Sequence, residues 1–190
     1  MTAILGISGS LRRDSHNTRL LRAAERLLPG GAELEIYGSL RELPHYDADL
    51  DIAPAHPAVA HLREAIAGAD AVLIATPEFN GTLPGALKNA LDWASRPYGE
   101  SALRGKPVAV VGASMGLFGA VWAQADARKA LGIIGSEVLE GELGVGQADS
   151  AFDEQGNLLD PEQQAALAGL VDELIARAER VRESEAAVAA

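Results

Sequence analysis

The sequence predicts an α/β protein, a five-stranded parallel sheet with helices on both faces. Three observations carry this reading. Short apolar runs alternate along the chain with segments of helical periodicity. Two of these runs, residues 71–75 and 107–111, hold no charged residue, as strands buried on both faces do. Glycine, proline and asparagine mark the places where one kind of segment gives way to the next.

Residues 3–8 form the first apolar run, closed by Gly9. Between Asn17 and Leu28, the residues Leu20, Leu21, Ala24, Leu27 and Leu28 recur at helical spacing until Pro29-Gly30-Gly31 stops them. Residues 32–37 alternate Leu34 and Ile36 with Glu33 and Glu35, the period of a strand. Residues 44–57 read as a loop, 58–68 as a helix and 71–75 as the third strand. Residues 83–94 are helical, with Leu83, Leu87, Leu91 and Ala94 on one stripe and Pro84 in the first turn. Residues 107–111 give the fourth strand, 117–131 a helix and 137–140 the last strand. Asp160 as N-cap, Pro161 at N1 and Gln163 at N3 open a final helix to about Arg182, beyond which residues 183–190 are expected to fray.

Right-handed crossovers leave few topologies for such a series. The common one at this size is a three-layer sandwich of order 2-1-3-4-5, the flavodoxin-like arrangement. The whole chain, 1–190, is expected to form one domain. Strands 1, 3 and 4 then lie side by side at the centre, and ligands bind at their carboxyl ends. The loops after Ser8, Ala75 and Val111 are the ones to inspect.

Composition narrows the function. Acidic residues outnumber basic ones 27 to 16, for a net charge of −11. That disfavours nucleic acid or an anionic membrane as the main partner, because both need clustered Lys and Arg. The chain has no cysteine, which excludes disulfides, Cys-ligated metals and a Cys nucleophile. Residues 107–125 carry no charge, but their glycines with Ser114 and Gln124 fit a strand and turn better than a membrane span. The start Met1-Thr2-Ala3-Ile4 has no basic region, so no signal peptide is expected and the protein reads as cytoplasmic.

The first loop, residues 8–18, is dense in small hydroxyls and contains Arg12, Arg13 and Asn17. It meets a helix N-terminus, where free N–H groups and the helix dipole favour an anion. Ser10, Arg12, Ser15 and Asn17, with Thr18 at the loop's end, suit a phosphate. An ordinary cap by Ser15 or Asn17 explains part of the same pattern. Neither the Walker-type loop nor the dinucleotide fingerprint occurs, so a single terminal phosphate is expected. The second loop, residues 76–82, holds Pro77 and Gly81 and suits a flat ring that needs hydrogen bonds along its edge. A plain connecting turn is the alternative. In the third, residues 112–119, Gly112, Gly116 and Gly119 serve either a close ligand or helix–sheet packing. One ligand with a phosphate at one end and a ring at the other accounts for all three loops.

These residues resemble the NADPH-dependent FMN reductase family over roughly residues 3–180. Gly9-Ser10-Leu11-Arg12 with Ser15 and Asn17 is similar to its first loop. Pro77-Glu78-Phe79-Asn80, followed by Pro84-Gly85-Ala86-Leu87-Lys88-Asn89-Ala90-Leu91-Asp92-Trp93, is similar to its second, and Ser114-Met115-Gly116 to its third. The resemblance implies non-covalent FMN, with Ser10, Arg12, Ser15, Asn17 and Thr18 at the phosphate. Pro77, Glu78, Phe79 and Asn80 would line the isoalloxazine, and Ser114, Met115 and Gly116 its other side. It further implies hydride transfer from NADPH or NADH, a small-molecule electron acceptor such as a quinone or free flavin, and a homodimer or homotetramer. A flavodoxin-type electron carrier and a non-catalytic FMN-binding module are the alternatives.

With a flavin carrying the chemistry, no side chain is required as acid, base or nucleophile. The histidines form no metal motif, and His16 alone lies in the phosphate loop. Asp47, Asp49 and Asp51 lack the glycine and glutamate of a calcium loop and read as a solvated segment. Leu87, Leu91, Trp93, Phe118 and Trp122 are expected to be core or part of a subunit contact. Family members often carry Tyr where Phe79 stands, and some quinone-reducing members have Arg and Tyr where this chain has Trp122 and Ala125.

Overall fold

The structure, a computed structural model, describes residues 1–189. The elements run β1 Thr2–Ser8, α1 His16–Arg26, β2 Ala32–Ile36, α2 Pro57–Gly68, β3 Ala71–Thr76 and α3 Gly85–Ala94. They continue as β4 Pro107–Ala113, α4 Val121–Ile134, β5 Glu137–Val138, β6 Leu143–Val145 and α5 Pro161–Ala189. All strand pairs are parallel and the order is β2-β1-β3-β4-β5.

Alternation along the central strands divides the core in two. Ile4, Leu73, Ala75, Ala109 and Val111 face α1 and α5, where Leu20, Leu21, Leu167, Val171 and Leu174 are buried. Leu5, Ile7, Val72, Ile74, Val108 and Val110 face α2, α3 and α4, against Val59, Leu62, Leu87, Trp93 and Leu131. The continuous apolar runs of β3 and β4 follow from burial on both faces. Each fully buried Leu, Ile or Val side chain contributes about 1.5–3 kcal/mol by leaving water.

Three expectations need correction. The sheet has six strands, because two short strands share the fifth position: β5 pairs with Pro107 and Val108, and β6 with Val111–Ala113. Arg128 covers the gap between them, donating to the carbonyls of Val110 at 2.9 Å and Gly141 at 2.8 Å. Next, α4 starts at Val121 and not at residue 117, because Gly119 and Ala120 both take positive φ, 57° and 64°. Finally, α5 continues through residues 183–189, where fraying was expected.

Candidate functional site

The carboxyl ends of β1, β3 and β4 are neighbours, with Ser8 opposite Ala75 and Thr76 opposite Gly112. The loops that leave them therefore meet at one end of the sheet.

In the first loop Ser15 is the N-cap of α1. Its Oγ accepts from the N–H groups of Asn17 at 3.2 Å and Thr18 at 3.4 Å. Asn17 is buried and turned to the sheet: Nδ2 donates to the Ala113 carbonyl and Oδ1 accepts from the Ala113 N–H, each at 2.9 Å. The first loop is thus fastened to the end of β4. Thr18 donates its hydroxyl to Ser8 Oγ at 3.0 Å, and Ser10 Oγ accepts from the Arg12 N–H at 3.3 Å. Arg12 Nε donates to the Asp14 carbonyl at 3.0 Å, and one guanidinium nitrogen lies 3.3 Å from His16 Nε2. Burial first, then the positive charges of Arg12 and Arg19, hold the His16 pKa below its ordinary value, while Asp149 pulls the other way. A neutral His16 can accept from Arg12.

Beside this loop is a cavity of about 200 Å³ whose lining includes Ser8, Ser10, Arg12, Thr18 and Arg41. No acidic residue lines it. Hydroxyls and two guanidinium groups without a carboxylate fit a phosphate dianion. Sequence reasoning missed Arg41. It comes from the single turn Leu40–Glu42 and donates to the Leu11 carbonyl. Nothing in the spacing of residues 38–44 signals that reach.

In the second loop Phe79 and Thr82 exchange two backbone hydrogen bonds, at 3.2 and 3.3 Å. Asn80 and Gly81 turn the chain between them with φ of 54° and 73°, the pattern of a type I′ turn. Their N–H groups find no acceptor among the described residues. Glu78 caps α4: its Oε2 accepts from the N–H groups of Trp122 at 3.0 Å and Ala123 at 3.2 Å. Pro77 is buried, whereas Phe79 is exposed.

In the third loop Gly112 and Gly119 serve packing. A Cβ on Gly112 would stand 2.8 Å from the Gly119 carbonyl oxygen, and one on Gly119 would overlap the backbone of Gly144 and Val145. A Cβ on Gly116 would meet only the Ser114 hydroxyl, in ordinary contact at 3.8 Å. Ser114 is held by backbone bonds to Val145 and Ala148, and the Gly116 carbonyl accepts from the Gln147 N–H at 2.9 Å. The N–H groups of Met115 and Gly116 find no acceptor among the described residues. Met115, Leu117 and Phe118 are exposed.

Ser10, Arg12 and Thr18 therefore line the cavity, while Ser15 and Asn17 brace it. Asn80 with Phe79, and Met115 with Gly116, present free amides and apolar side chains on two neighbouring loops. Glu78 spends its carboxylate on α4. Other motif residues are structural: Asn89 Nδ2 and Trp93 Nε1 both donate to the Pro44 carbonyl at 2.8 Å, and Lys88 pairs with Asp92 at 2.6 Å. Leu87, Leu91 and Trp93 are core, whereas Phe118 and Trp122 are exposed and in edge-on contact. His56 caps α2 through Nδ1, Asp47 caps the turn Ala48–Leu50, and Asp51 pairs with Arg63.

Such a fold, with an acid-free cavity of hydroxyls and guanidinium groups at β1 and free amides beside an apolar shelf at β3 and β4, defines a flavodoxin-like protein with room for a mononucleotide at the carboxyl ends of its strands. Residues 2–150 match the model of the NADPH-dependent FMN reductases, and the chain belongs to that family. It is 45% identical to an NAD(P)H-dependent FMN reductase of Pseudomonas aeruginosa, covering 83% of this chain and 84% of that one. It is 41% identical to a quinone reductase of Pseudomonas putida, over 81% and 83% of the two chains. A flavoenzyme NAD(P)H:(acceptor) oxidoreductase from Paracoccus denitrificans superposes with a TM-score of 0.85 at 37% identity, over 95% and 98%. The protein is accordingly an oxidoreductase, and its family's cofactors are FMN and a nicotinamide nucleotide. The comparisons give no support to an electron carrier or a non-catalytic module. Among the described residues, no helix is long and apolar enough to cross a membrane.

Proposed function

We propose that this chain seats FMN with its phosphate in the cavity at β1 and its ring along the second and third loops, and reduces quinones or free flavin with NADPH or NADH. The acid-free cavity carries this reading. Hydroxyls of Ser8, Ser10 and Thr18 and the guanidinium groups of Arg12 and Arg41 match a dianion there. When bound, FMN supplies hydride acceptance from the nicotinamide and electron delivery to the acceptor. The chain's own part is placement. Ser15 and Asn17 hold the phosphate loop against β4, the Asn80 and Gly81 N–H groups meet the ring edge, and Phe79 and Met115 flank its faces. The shelf is open to solvent, so the nicotinamide nucleotide and the acceptor occupy it in turn. We further infer that residues 1–190 act as one cytoplasmic domain in a homodimer or homotetramer, with exposed Phe118 and Trp122 at a subunit contact.

Anaerobic absorbance of the FMN-reconstituted protein tests the central claim. A nicotinamide nucleotide should bleach the flavin band near about 450 nm and a quinone should restore it. Bound flavin that ignores both nucleotides would sink the reading.

A further inference from the structure

We propose that Glu78 and Asp126 are positioning residues that clamp the hairpin of residues 78–82 onto α4 and so set where the free Asn80 and Gly81 amides stand. This rests on the FMN-binding reading and deepens it.

Helix α4 begins without a cap of its own. Its N-cap is Ala120, which offers no side-chain oxygen, and its first turn contains no acidic residue. Both of the amides that a capping side chain would meet are taken by one oxygen of Glu78, which lies 44 positions earlier in the chain than Trp122. The carboxylate also faces the positive end of the helix dipole. A second tie sits at the hairpin's other end, where the Thr82 hydroxyl donates to the Asp126 carboxylate. Asp126 is about one helical turn beyond Trp122, so the hairpin is tied to α4 at its capped end and again one turn further in.

Between the ties stand only the Phe79–Thr82 bridge and its two-residue turn. So short a hairpin is marginal by itself. Its fixed position therefore comes from α4, and α4 in turn takes its cap from the hairpin. The two act as one body, with Asn80 and Gly81 at its tip and Trp122 on its flank.

Four variants test this: Glu78→Ala, Glu78→Gln, Thr82→Val and the double change Glu78→Ala/Thr82→Val, in which the bond to Asp126 is cut from the hairpin side. Amide exchange at Phe79 and Thr82 is read in the FMN-free protein, and FMN affinity by quenching of flavin fluorescence. Glu78→Ala should speed exchange at both amides and raise the FMN Kd about tenfold, the scale of a lost charged cap. Glu78→Gln keeps an oxygen for both bonds and should stay within about threefold of wild type. The double variant should exceed the product of the single effects, since each tie restrains what the other releases. Thr82→Val leaves the α4 cap intact and so reports on the hairpin even if the alanine variant fails to fold. Unchanged exchange at Phe79 in Thr82→Val, or wild-type FMN affinity in Glu78→Ala, would overturn the clamp. A wild-type chain that binds no FMN would overturn the cofactor reading instead, while the exchange measurements still decide the clamp.

Discussion

Asn17 gives Ala113 what a neighbouring strand would, a donor and an acceptor, from one side-chain amide. Removing it strands both Ala113 groups in a buried place. Asn17→Ala should lower the unfolding free energy by roughly 2–4 kcal/mol, because two backbone groups lose their partners. Urea denaturation would show this as a lower midpoint with an unchanged slope. At this scale the sequence was legible in residue type and not in direction. Hydroxyls and Arg12 after a buried strand point to the proposed anion site. Which members line the cavity depends on rotamers that spacing does not encode. Asn17 turns inward while Thr18, one position on, reaches the cavity with Ser8. Arg41 was invisible because its role depends on the path of residues 38–44, which have no periodic pattern.

The elements were read best where burial alone dictates them. Strands β3 and β4 announce themselves by unbroken apolar runs. The boundary of α4 and the existence of β6 were hidden for one shared reason, glycine-mediated backbone contact. Gly119 passes so close to Gly144 and Val145 that no side chain fits there, and its positive φ of 57° keeps it out of the helix. Leu143–Val145 in turn is too short and too glycine-rich to signal a strand. Gly119→Ala should therefore destabilise by roughly 3–5 kcal/mol, from backbone overlap and an unfavourable φ together. Gly116→Ala, three positions away, would add only an ordinary 3.8 Å contact with the Ser114 hydroxyl and should stay within about 0.5 kcal/mol of wild type. Thermal or urea denaturation of the pair checks the contrast. Equal losses would mean that the third loop is uniformly tight.

For the molecule as a whole, His16 is the group with a shifted pKa that links the fold to pH just below neutrality. Its folded pKa is below the unfolded value of 6.5, so the unfolded chain binds the extra proton first. As pH falls through 6.5 and then through the lower folded value, His16 increasingly favours unfolding. Above 6.5 it has no such effect. His16→Gln should therefore lose less Tm than wild type between about pH 7.5 and pH 5.5, as calorimetry can show. Identical pH profiles would mean that His16 does not couple to folding. A last consequence follows from the divided fifth strand. One rim of the sheet offers only β5, two residues long, and β6, three residues long, with Arg128 filling the space between. The opposite rim is β2, whose exposed side chains include Glu33 and Glu35. An incoming strand finds too little free ladder on the first and carboxylates along the second. The folded chain is thus a poor template for fibril growth by its own unfolded copies.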